Sequence, residues 1–387
     1  MRGPGMNMTM TPELSPPQVD LNGVSFNATP GTYPILVDGC DTLPRLFQLR
    51  CQELGERVAH REKTLGIWKS YTWQDYWEGA RDFGVGLLSL GLERGEVVSI
   101  LSEDRREWLY ADLGIQCAGG IASGIYTTDS ARQLAYLVSD SDSRFLLVEN
   151  DEQLDKFLAV EDQLPDLAYV IILDRDGLHD LSHPRCLVWD EVLERGRAFH
   201  AAHPKRFGEE IARARPEDTA LLIYTSGTTG DPKGAMLAHE NILAACEAGA
   251  RVLAFLPSDE QLCFLPLCHI LERNISVYFP LVAASTVNFA ESPETVFDNM
   301  REVSPHHFFA VPRVWEKVYS RVLVMAQEAT GLGRWAFAAA LRAGLARAEF
   351  AMVGQAVPLT VALLYRIWDF LVLRNLRRML GMDRMRR

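Results

Sequence analysis

Several features that would assign a protein class at once are missing from this chain of 387 residues. Its seven cysteines include no Cys-x-x-Cys pair, which disfavours a zinc site or a redox motif. An odd number of cysteines in a chain this long predicts reduced thiols in the cytoplasm instead of a disulfide framework. No apolar run approaches the roughly 20 residues of a membrane span. No positively charged segment with an apolar run opens the chain, so we expect no secretory signal.

The chain also lacks an excess of positive charge. Its 39 Lys and Arg are outnumbered by 51 Asp and Glu, and the net charge is −12. An acidic chain without basic clusters is a poor candidate for nucleic-acid binding. The hydrophobic share of 48% and the charged share of 23% are ordinary for a globular protein long enough to form a large core or two domains.

Hydrophobic periodicity from Thr42 onward predicts helices that alternate with strands. Helical spacing recurs in four segments: 43–54, 73–91, 107–118 and 240–253. Short apolar runs predict strands at 97–101, 145–148, 169–173, 219–224, 234–238, 262–267 and 306–311. This alternation predicts an α/β fold with mostly parallel sheets packed between helices. Residues 1–38 are rich in Pro, Gly, Asn, Thr and Met and predict a flexible tail.

The most informative segment joins two of the predicted strands. It reads Tyr-Thr-Ser-Gly-Thr-Thr-Gly-Asp-Pro-Lys-Gly over residues 224–234. Its glycines allow a tight turn and a close approach to a ligand. Hydroxyls, free backbone N–H groups and one lysine on such a loop are suited to holding a polyphosphate. The candidate phosphate-binding residues are Thr225, Ser226, Gly227, Thr228, Thr229, Gly230 and Lys233.

This loop is not a Walker A loop, which needs Gly directly before Lys and Ser or Thr directly after it. Here Pro232 precedes Lys233 and Gly234 follows it. A Gly-Thr-Thr-Gly run alone would more often be an ordinary turn, but the full run is far more specific. It closely resembles the phosphate loop of adenylate-forming enzymes. In that family the loop grips the β- and γ-phosphates of ATP while a carboxylate attacks the α-phosphate.

A second motif, Pro-Leu-Cys-His-Ile-Leu-Glu-Arg, occupies residues 266–273 after a predicted strand. Alone, it predicts a partly buried His269 and a solvated pair, Glu272 and Arg273. The run nevertheless resembles a core motif of the long-chain fatty acyl-CoA synthetase branch. The resemblance implies that His269 lies beside the acyl-adenylate. Because the reaction starts from a carboxylate, the role expected for His269 is orientation and electrostatics instead of proton abstraction.

Further segments support the same branch. Val-Pro-Arg-Val-Trp-Glu-Lys at 311–317 reads as a helix start, and the resemblance leaves a phosphate contact open for Arg313. Asp104-Arg-Arg-Glu-Trp and Gly124-Ile-Tyr-Thr-Thr resemble segments of long-chain acyl-CoA synthetases, although the family usually has Asn where this chain has Asp104. We expect these two segments to be structural.

The most apolar stretch, 356–373, is interrupted by Arg366 and Asp369 and predicts a packed helix. The adjoining segment 374–387 is rich in Arg. An alternative is therefore a helix on a membrane surface, held by apolar contact and by attraction to anionic lipid. We accordingly expect a cytoplasmic protein, with peripheral membrane contact as a hypothesis.

The resemblance runs from about residue 40 to the end, with the motifs in family order. In the family, that end lies inside the large N-terminal domain. The Tyr-Gly-x-Thr-Glu motif with its magnesium ligand, the ribose-binding aspartate, the hinge and the small C-terminal domain with its lysine would follow. We therefore expect residues 39–387 to form a partial N-terminal AMP-binding domain of the adenylate-forming fold, incomplete at the C-terminus, and leave the metal ligands unassigned.

The function implied by the resemblance is ATP-dependent activation of a long-chain fatty acid. The fatty carboxylate would attack the α-phosphate of ATP bound with Mg²⁺, and CoA would then displace AMP to give the thioester. Lys233 and His269 are the catalytic candidates: Lys233 would offset charge on the departing pyrophosphate, and His269 would orient the acyl group. Two alternatives stay open, namely a truncated non-catalytic nucleotide-binding fragment and a fatty acyl-AMP ligase that delivers to a carrier protein.

Overall fold

Strands and helices alternate along most of the chain, as the hydrophobic pattern predicts. The computed structural model describes residues 18–21, 23–27, 34–178, 180–225, 230–253 and 255–386. The strands within these ranges are β1 (Gln18–Leu21), β2 (Val24–Asn27), β3 (Val58–Thr64), β4 (Ile67–Thr72), β5 (Val97–Leu101), β6 (Ile121–Ile125), β7 (Ser143–Val148), β8 (Tyr169–Ile172), β9 (Cys186–Val188), β10 (Thr219–Thr225), β11 (Lys233–Ala238), β12 (Glu260–Cys263) and β13 (Thr286–Phe289).

Helices connect most of these strands and also form the last described part of the chain. They are α1 (Leu43–Leu54), α2 (Trp73–Ser89), α3 (Arg106–Cys117), α4 (Ala131–Asp140), α5 (Asp151–Leu158), α6 (Trp189–Ala202), α7 (Arg206–Arg213), α8 (His239–Val252), α9 (Ile270–Arg273), α10 (Phe279–Ala283), α11 (Val296–Val303), α12 (Pro312–Glu328), α13 (Gly331–Met352), α14 (Leu359–Trp368) and α15 (Arg374–Leu380). A π-helical turn joins α9 to α10, and a second one joins α14 to α15.

The larger sheet has seven strands in the described part of the chain, in the order β11-β10-β6-β5-β7-β8-β9. All of its neighbouring pairs are parallel except β10 with β11. Successive residues of β7 enter different cores: Phe145 and Leu147 join the core with α2 and α3, whereas Leu146 and Val148 join the core with α4 and α5. Helices therefore cover both faces, which is why these strands are apolar throughout.

The smaller sheet has four strands among the described residues, in the order β12-β13-β3-β4. The pairs β12–β13 and β13–β3 are parallel, and β3–β4 is an antiparallel hairpin. Val287 and Phe289 of β13 belong to the same buried cluster as Val98 and Ile100 of β5. The two sheets thus share one core, and the predicted α/β class with mostly parallel sheets is confirmed.

Close packing of helices on this core depends on small residues. A methyl group on Gly84 of α2 would lie 2.4 Å from the carbonyl oxygen of Gly114 in α3. One on Gly196 of α6 would lie 1.8 Å from the carbonyl oxygen of Asp82. Larger side chains at these positions would push α3 and α6 away from α2.

Two predicted strands differ from the structure. The predicted strand 262–267 is instead Glu260–Cys263, because the chain leaves the sheet at Phe264. The predicted strand 306–311 is wrong, since its residues form only an isolated bridge between His307 and Gln261. The segment adjoins the free edge of β12, but the N–H of Glu260 donates to the side chain of His306, and the carbonyl oxygen of His306 accepts from the N–H of Arg386. Hydrophobic periodicity also missed β3, β4, β6, β9 and β13.

The predicted tail, residues 1–38, falls mostly outside the described residues. Its described part forms the hairpin β1–β2, and the side chain of Phe26 is fully buried in the main core. The sequence indicates this hairpin only by the spacing of Val24 and Phe26, two apolar residues that are two positions apart and both buried. The boundary at residue 38 stays a prediction.

The stretch 356–373 is helical and packs by one side on α13. The ring centres of Trp335 and Trp368 are 5.6 Å apart, and the guanidinium of Arg347 lies 4.3 Å from the ring centre of Tyr365. No residue of α14 is buried, so the expectation of a packed helix holds for one face only. Among the described helices, none is both long and apolar enough to cross a membrane.

Candidate functional site

The ends of the parallel strands bring the predicted motifs to one edge of the larger sheet. Because β5, β6, β7 and β10 run in the same direction, their carboxyl ends meet at that edge. Ligands of open α/β sheets bind in the crevice at this position. The residues that follow these four strands are Glu103–Arg105, Tyr126, Glu149 and the predicted phosphate loop.

The phosphate loop is the turn of the antiparallel hairpin β10–β11, as predicted. Thr225 and Lys233 are opposite each other at the base of the turn, and both are exposed. Gly230 has a φ of +90°, a conformation that favours glycine. Ser226, Gly227, Thr228 and Thr229 lie outside the described residues. The structure therefore positions the two ends of the loop, Thr225 and Gly230–Lys233, and leaves the role of all seven residues a prediction.

Helix α4 supports this hairpin through contacts of two tyrosines, Tyr136 of α4 and Tyr224 of β10, neither of which is among the predicted phosphate-binding residues. The hydroxyl of Tyr136 donates to the carbonyl oxygen of Pro232 at 2.8 Å. The hydroxyl of Tyr224 donates to the carboxylate of Asp140, also at 2.8 Å. Gly234 lies opposite Tyr224, and a methyl group there would come within 3.2 Å of the ring. These contacts fix the base of the hairpin over a cavity of about 200 Å³ lined in part by Tyr126 and Pro232.

His269 lies at the start of α9 and is exposed, not partly buried as the motif alone suggested. Its Nδ1 accepts a hydrogen bond from the N–H of Leu271 at 3.1 Å. In the neutral imidazole the proton is then on Nε2, which can donate to a ligand. This geometry suits orientation of a bound group by hydrogen bonding.

The His269 segment packs against the end of β6, next to the strand that leads to the phosphate loop. A methyl group on Gly124 would lie 2.7 Å from Cα of Cys268, so these two backbones touch. Strand β6 pairs with β10 through Ala122 and Ser123. The structure thus brings the two predicted motifs to neighbouring positions on the same edge, although they are about 35 residues apart in sequence.

Glu272 and Arg273 are buried, so the expectation of a solvated pair is wrong. Arg273 forms a fully buried ion pair with Asp112 of α3, and its guanidinium lies 4.7 Å from the ring centre of Trp108. Asp112 also accepts from the hydroxyl of Tyr278 at 2.9 Å and from the amide of Gln116 at 3.0 Å. This network fixes α9 and the turn after it against α3.

A cavity of about 550 Å³ lies where the carboxyl ends of strands from both sheets converge. Its charged lining is mostly acidic: Glu62, Glu103, Asp104, Glu149 and Glu291, with Lys63 and Arg105. Both cations are already paired, Lys63 with Glu302 at 2.7 Å and Arg105 with Glu107 at 2.7 Å. Such a cavity is poorly suited to a polyphosphate, which leaves the hairpin as the better phosphate site.

Burial raises the pKa of several carboxyls around this cavity. The pKa of Glu62 is raised by burial and by the nearby Glu107, and that of Glu149 is raised by burial. The pKa of Asp104 lies well above its ordinary value because of burial and the nearby Glu272. Burial therefore disfavours the charged form of these three carboxyls.

Potential metal ligands and thiols are dispersed over the described part of the chain. Among the described residues, no group of three or more His, Cys, Asp and Glu side chains is placed to hold a metal ion. All seven cysteines are free thiols, in agreement with the odd count. Arg313 is exposed in the first turn of α12.

Comparisons with known proteins agree with this geometry. Residues 47–373 match the family described as AMP-binding enzyme. A long-chain-fatty-acid–CoA ligase, ACSBG2, of Xenopus laevis is 34% identical over 355 residues, which cover 89% of this chain and 46% of that protein. ACSBG2 of Rattus norvegicus is 32% identical over 350 residues, covering 88% and 51%. This chain thus spans about half the length of the curated relatives it matches.

A solved structure shows the same fold. The anthranilate CoA ligase AuaEII, in complex with anthranoyl-AMP, superposes with a TM-score of 0.59 at 22% identity. The match covers 68% of this chain and 48% of that one. At this identity the likeness supports the architecture of the two sheets and carries no statement about ligands.

Proposed function

The chain belongs to the AMP-binding enzyme family, and from this membership we propose that it takes part in ATP-dependent activation of a long-chain fatty acid. The fatty carboxylate attacks the α-phosphate of ATP and releases pyrophosphate, giving an acyl-adenylate. The thiol of CoA then displaces AMP and forms the thioester. The names of the relatives from Xenopus laevis and Rattus norvegicus support the substrate class.

The observation that carries the proposal is the position of the β10–β11 hairpin at the carboxyl edge of the larger sheet. In this proposal Thr225, Ser226, Gly227, Thr228, Thr229 and Gly230 bind the polyphosphate through hydroxyls and backbone N–H groups. Lys233, exposed at the start of β11, offsets the charge that develops on the departing pyrophosphate.

His269 is the proposed partner of the acyl group. Its exposed ring lies on the segment that packs against β6, and its Nε2 is available as a donor because Nδ1 already accepts from Leu271. A donor at this position orients the carboxyl or acyl oxygen. No proton needs to be removed, because the substrate reacts as its carboxylate.

Mg²⁺ and CoA complete the proposed set of ligands. Mg²⁺ prefers phosphate and carboxylate oxygens and commonly keeps several waters, so it would arrive with the phosphates of ATP. The described side chains include no metal-binding group of three, so no step of the reaction is assigned through the metal. The residues that contact CoA are not assigned.

Radiolabel exchange between pyrophosphate and ATP tests the first half-reaction. We expect exchange that depends on a long-chain fatty acid, measured both on the 387-residue chain and on the protein isolated from its source. Thioester formation on adding CoA then separates a CoA ligase from an enzyme that delivers the acyl group to a carrier protein. Absence of exchange in both preparations would contradict the proposal and favour a non-catalytic nucleotide-binding protein.

We further propose that the protein works in the cytoplasm with peripheral membrane contact through α12–α15. Residues 312–386 contain twelve Lys and Arg and five Asp and Glu, a net charge of +7 within a chain of net charge −12. The same helices expose large apolar side chains, among them Trp335 at 59%, Leu359 at 89% and Phe370 at 69%. Basic and apolar groups on one helical unit suit an anionic bilayer surface, where fatty acids also partition.

A further inference from the structure

The segment Phe264–Cys268, which follows β12 and leads to His269, lies near two carboxyls from different parts of the fold, the half-buried Asp104 and the buried Glu272. Asp104 reaches it from the loop after β5, and Glu272 reaches it from α9. The proposed function assigns no role to either carboxyl. The segment itself contributes Phe264 and Pro266 to the wall of the 550 Å³ cavity.

Near one end of the segment, a carboxylate oxygen of Asp104 accepts the backbone N–H of Leu267 at 2.9 Å. Asp104 also lines the cavity, so this bond ties the cavity wall to the end of β5. An acceptor for a backbone N–H within an irregular segment fixes that segment where no strand partner is present.

Near the other end of the segment, Glu272 is 1% exposed and accepts from the hydroxyl of Ser276 at 2.6 Å. The backbone N–H groups of Phe264 and Leu265 lie near the same carboxyl and partly offset the rise of its pKa. The thiol of Cys263, the last residue of β12, faces Asp104 and Glu272 alike.

We propose that Asp104 and Glu272 are positioning residues, two carboxyls that hold Phe264–Cys268, one at Leu267 and the other near Phe264 and Leu265, and thereby fix the cavity wall and the place of His269. The proposal rests on the proposed function only where it gives His269 a role. The contacts that hold the segment are independent of that function. In this proposal the chain leaves the sheet at the end of β12, and side-chain contacts then hold it in place.

The two carboxyls also make the segment sensitive to pH. Burial and the nearby Glu272 raise the pKa of Asp104, and burial raises the pKa of Glu272 to about 7. The other titratable groups around them are Glu103 beside Asp104, and Cys263 and Cys268 on the held chain. Two cations adjoin the carboxyls in sequence, but Arg105 is paired with Glu107 and Arg273 is paired with Asp112. Neither of these cations forms an ion pair with Asp104 or Glu272, so a second negative charge would not be neutralised by such a pair.

The direction of the pH effect follows from linkage. When the segment opens to water, both carboxyls return to their ordinary pKa values and release their protons at lower pH. The closed arrangement therefore binds more protons than the open one. It loses stability as the pH rises from about 4.5 to about 7, and levels off above the raised pKa.

Hydrogen exchange of the amides of residues 264–268 tests the proposal on the 387-residue chain, without any use of ligase activity. Protection factors, which are corrected for the intrinsic effect of pH, are compared at pH 5 and pH 8. We expect the protection of Leu267 to fall at least tenfold between them. Asp104→Ala removes the acceptor and lowers this protection already at pH 5, whereas Asp104→Asn keeps an acceptor and reduces the fall with pH.

In the double variant D104N/E272Q, the protection of Leu267 should be the same at pH 5 and pH 8, because neither amide can ionise. Glu103→Gln is the matched control: it removes the adjacent carboxyl, which accepts from the hydroxyl of Thr127 and not from the held segment. Equal protection of the wild-type segment at both pH values, or an undiminished fall in Asp104→Asn, would overturn the proposal. If Glu272→Gln does not fold, Asp104→Asn alone decides, since the family usually has Asn at this position.

Discussion

The residues next to Lys233 in sequence distinguish between two kinds of phosphate-binding loop. The position of Lys233 after Pro232 excluded a Walker A loop, and the hairpin then placed it exposed at the base of a turn. A charge that is mobile and exposed is free to follow the pyrophosphate as it leaves. We therefore propose that Lys233 stabilises the transition state of adenylation and contributes little to the stability of the fold.

Lys233→Ala should therefore slow fatty-acid-dependent ATP–pyrophosphate exchange about 100-fold or more, the usual effect of removing one group that stabilises developing charge. Lys69→Ala is the matched control, because Lys69 is exposed on β4 in the smaller sheet. Thermal unfolding should be unchanged in both variants. An exchange rate in Lys233→Ala equal to that of Lys69→Ala would remove Lys233 from the mechanism.

His269→Ala should lower the rate of adenylate formation about tenfold, since it removes one orienting donor and no proton acceptor. For the same reason, the loss should be the same at pH 6 and pH 9. Measuring kcat/KM for the fatty acid at both pH values checks this. A loss that differs between the two pH values would instead show acid–base catalysis by His269.

His60 carries a residue-scale prediction about stability. It is 1% exposed, its Nε2 lies 3.0 Å from the hydroxyl of Tyr110, and burial lowers its pKa from 6.5 to about 3. The unfolded chain binds a proton at His60 that the folded chain does not, so this residue destabilises the fold as the pH falls from 6.5 towards 3.

Between pH 7 and pH 4, the free energy of unfolding of His60→Gln, measured with urea, should therefore decrease less than that of the wild type, by a few kcal/mol. The exposed His203, changed to Gln, is the control and should follow the wild type. Parallel pH curves for all three proteins would contradict the assignment of His60 as a buried neutral imidazole.

At the scale of elements, the sequence predicted what depends on local pattern. The limits of α1 and β5 agree with the predicted ones, and the phosphate loop lies between two strands as expected. Val97–Leu101 is buried at every residue, so its apolar run was unambiguous. In β3, polar residues such as Arg61 and Lys63 pair across the hairpin with β4, and no hydrophobic run marks the strand.

The elements that the sequence did not predict correctly depend on distant partners. Cys263 ends β12 because the backbone N–H of Leu267, four residues later, bonds to Asp104, which is about 160 residues away in sequence. Glu272 and Arg273 read as a solvated pair because their burial requires Ser276 and Asp112, the latter about 160 residues away. Burial of charge follows from such contacts, which periodicity does not contain.

Support of the phosphate hairpin by α4 gives a prediction at this scale. Tyr136→Phe removes the hydrogen bond to Pro232, which costs about 1 kcal/mol and loosens the end of the loop. The KM for ATP in the exchange assay should rise a fewfold, with a smaller change in kcat. Tyr126→Phe, a change in the lining of the same 200 Å³ cavity, is the control. A KM for ATP that is the same in the two variants would show that the Tyr136 hydroxyl does not support the loop.

At the scale of the whole molecule, charge and apolar surface are unevenly divided. The net charge is −12 over the chain but +7 over residues 312–386, so the remainder is strongly acidic. The exposed apolar side chains of α12–α15 lie on the basic part. An anionic bilayer would attract this part and repel the remainder, which gives the protein one preferred orientation on a membrane.

Flotation with lipid vesicles tests this orientation. The chain should float with vesicles rich in phosphatidylserine at low salt, and binding should weaken with added salt because the attraction is screened. The double variant L359D/L363D should lose most of the binding, since it places two negative charges on the exposed face of α14. Leu65→Asp makes the same kind of change at a side chain 92% exposed on the turn between β3 and β4, and should bind like the wild type. Equal flotation of all three proteins, or equal binding to neutral vesicles, would show that α12–α15 do not form a surface for anionic lipid, and the apolar face of α14 would then require a protein partner.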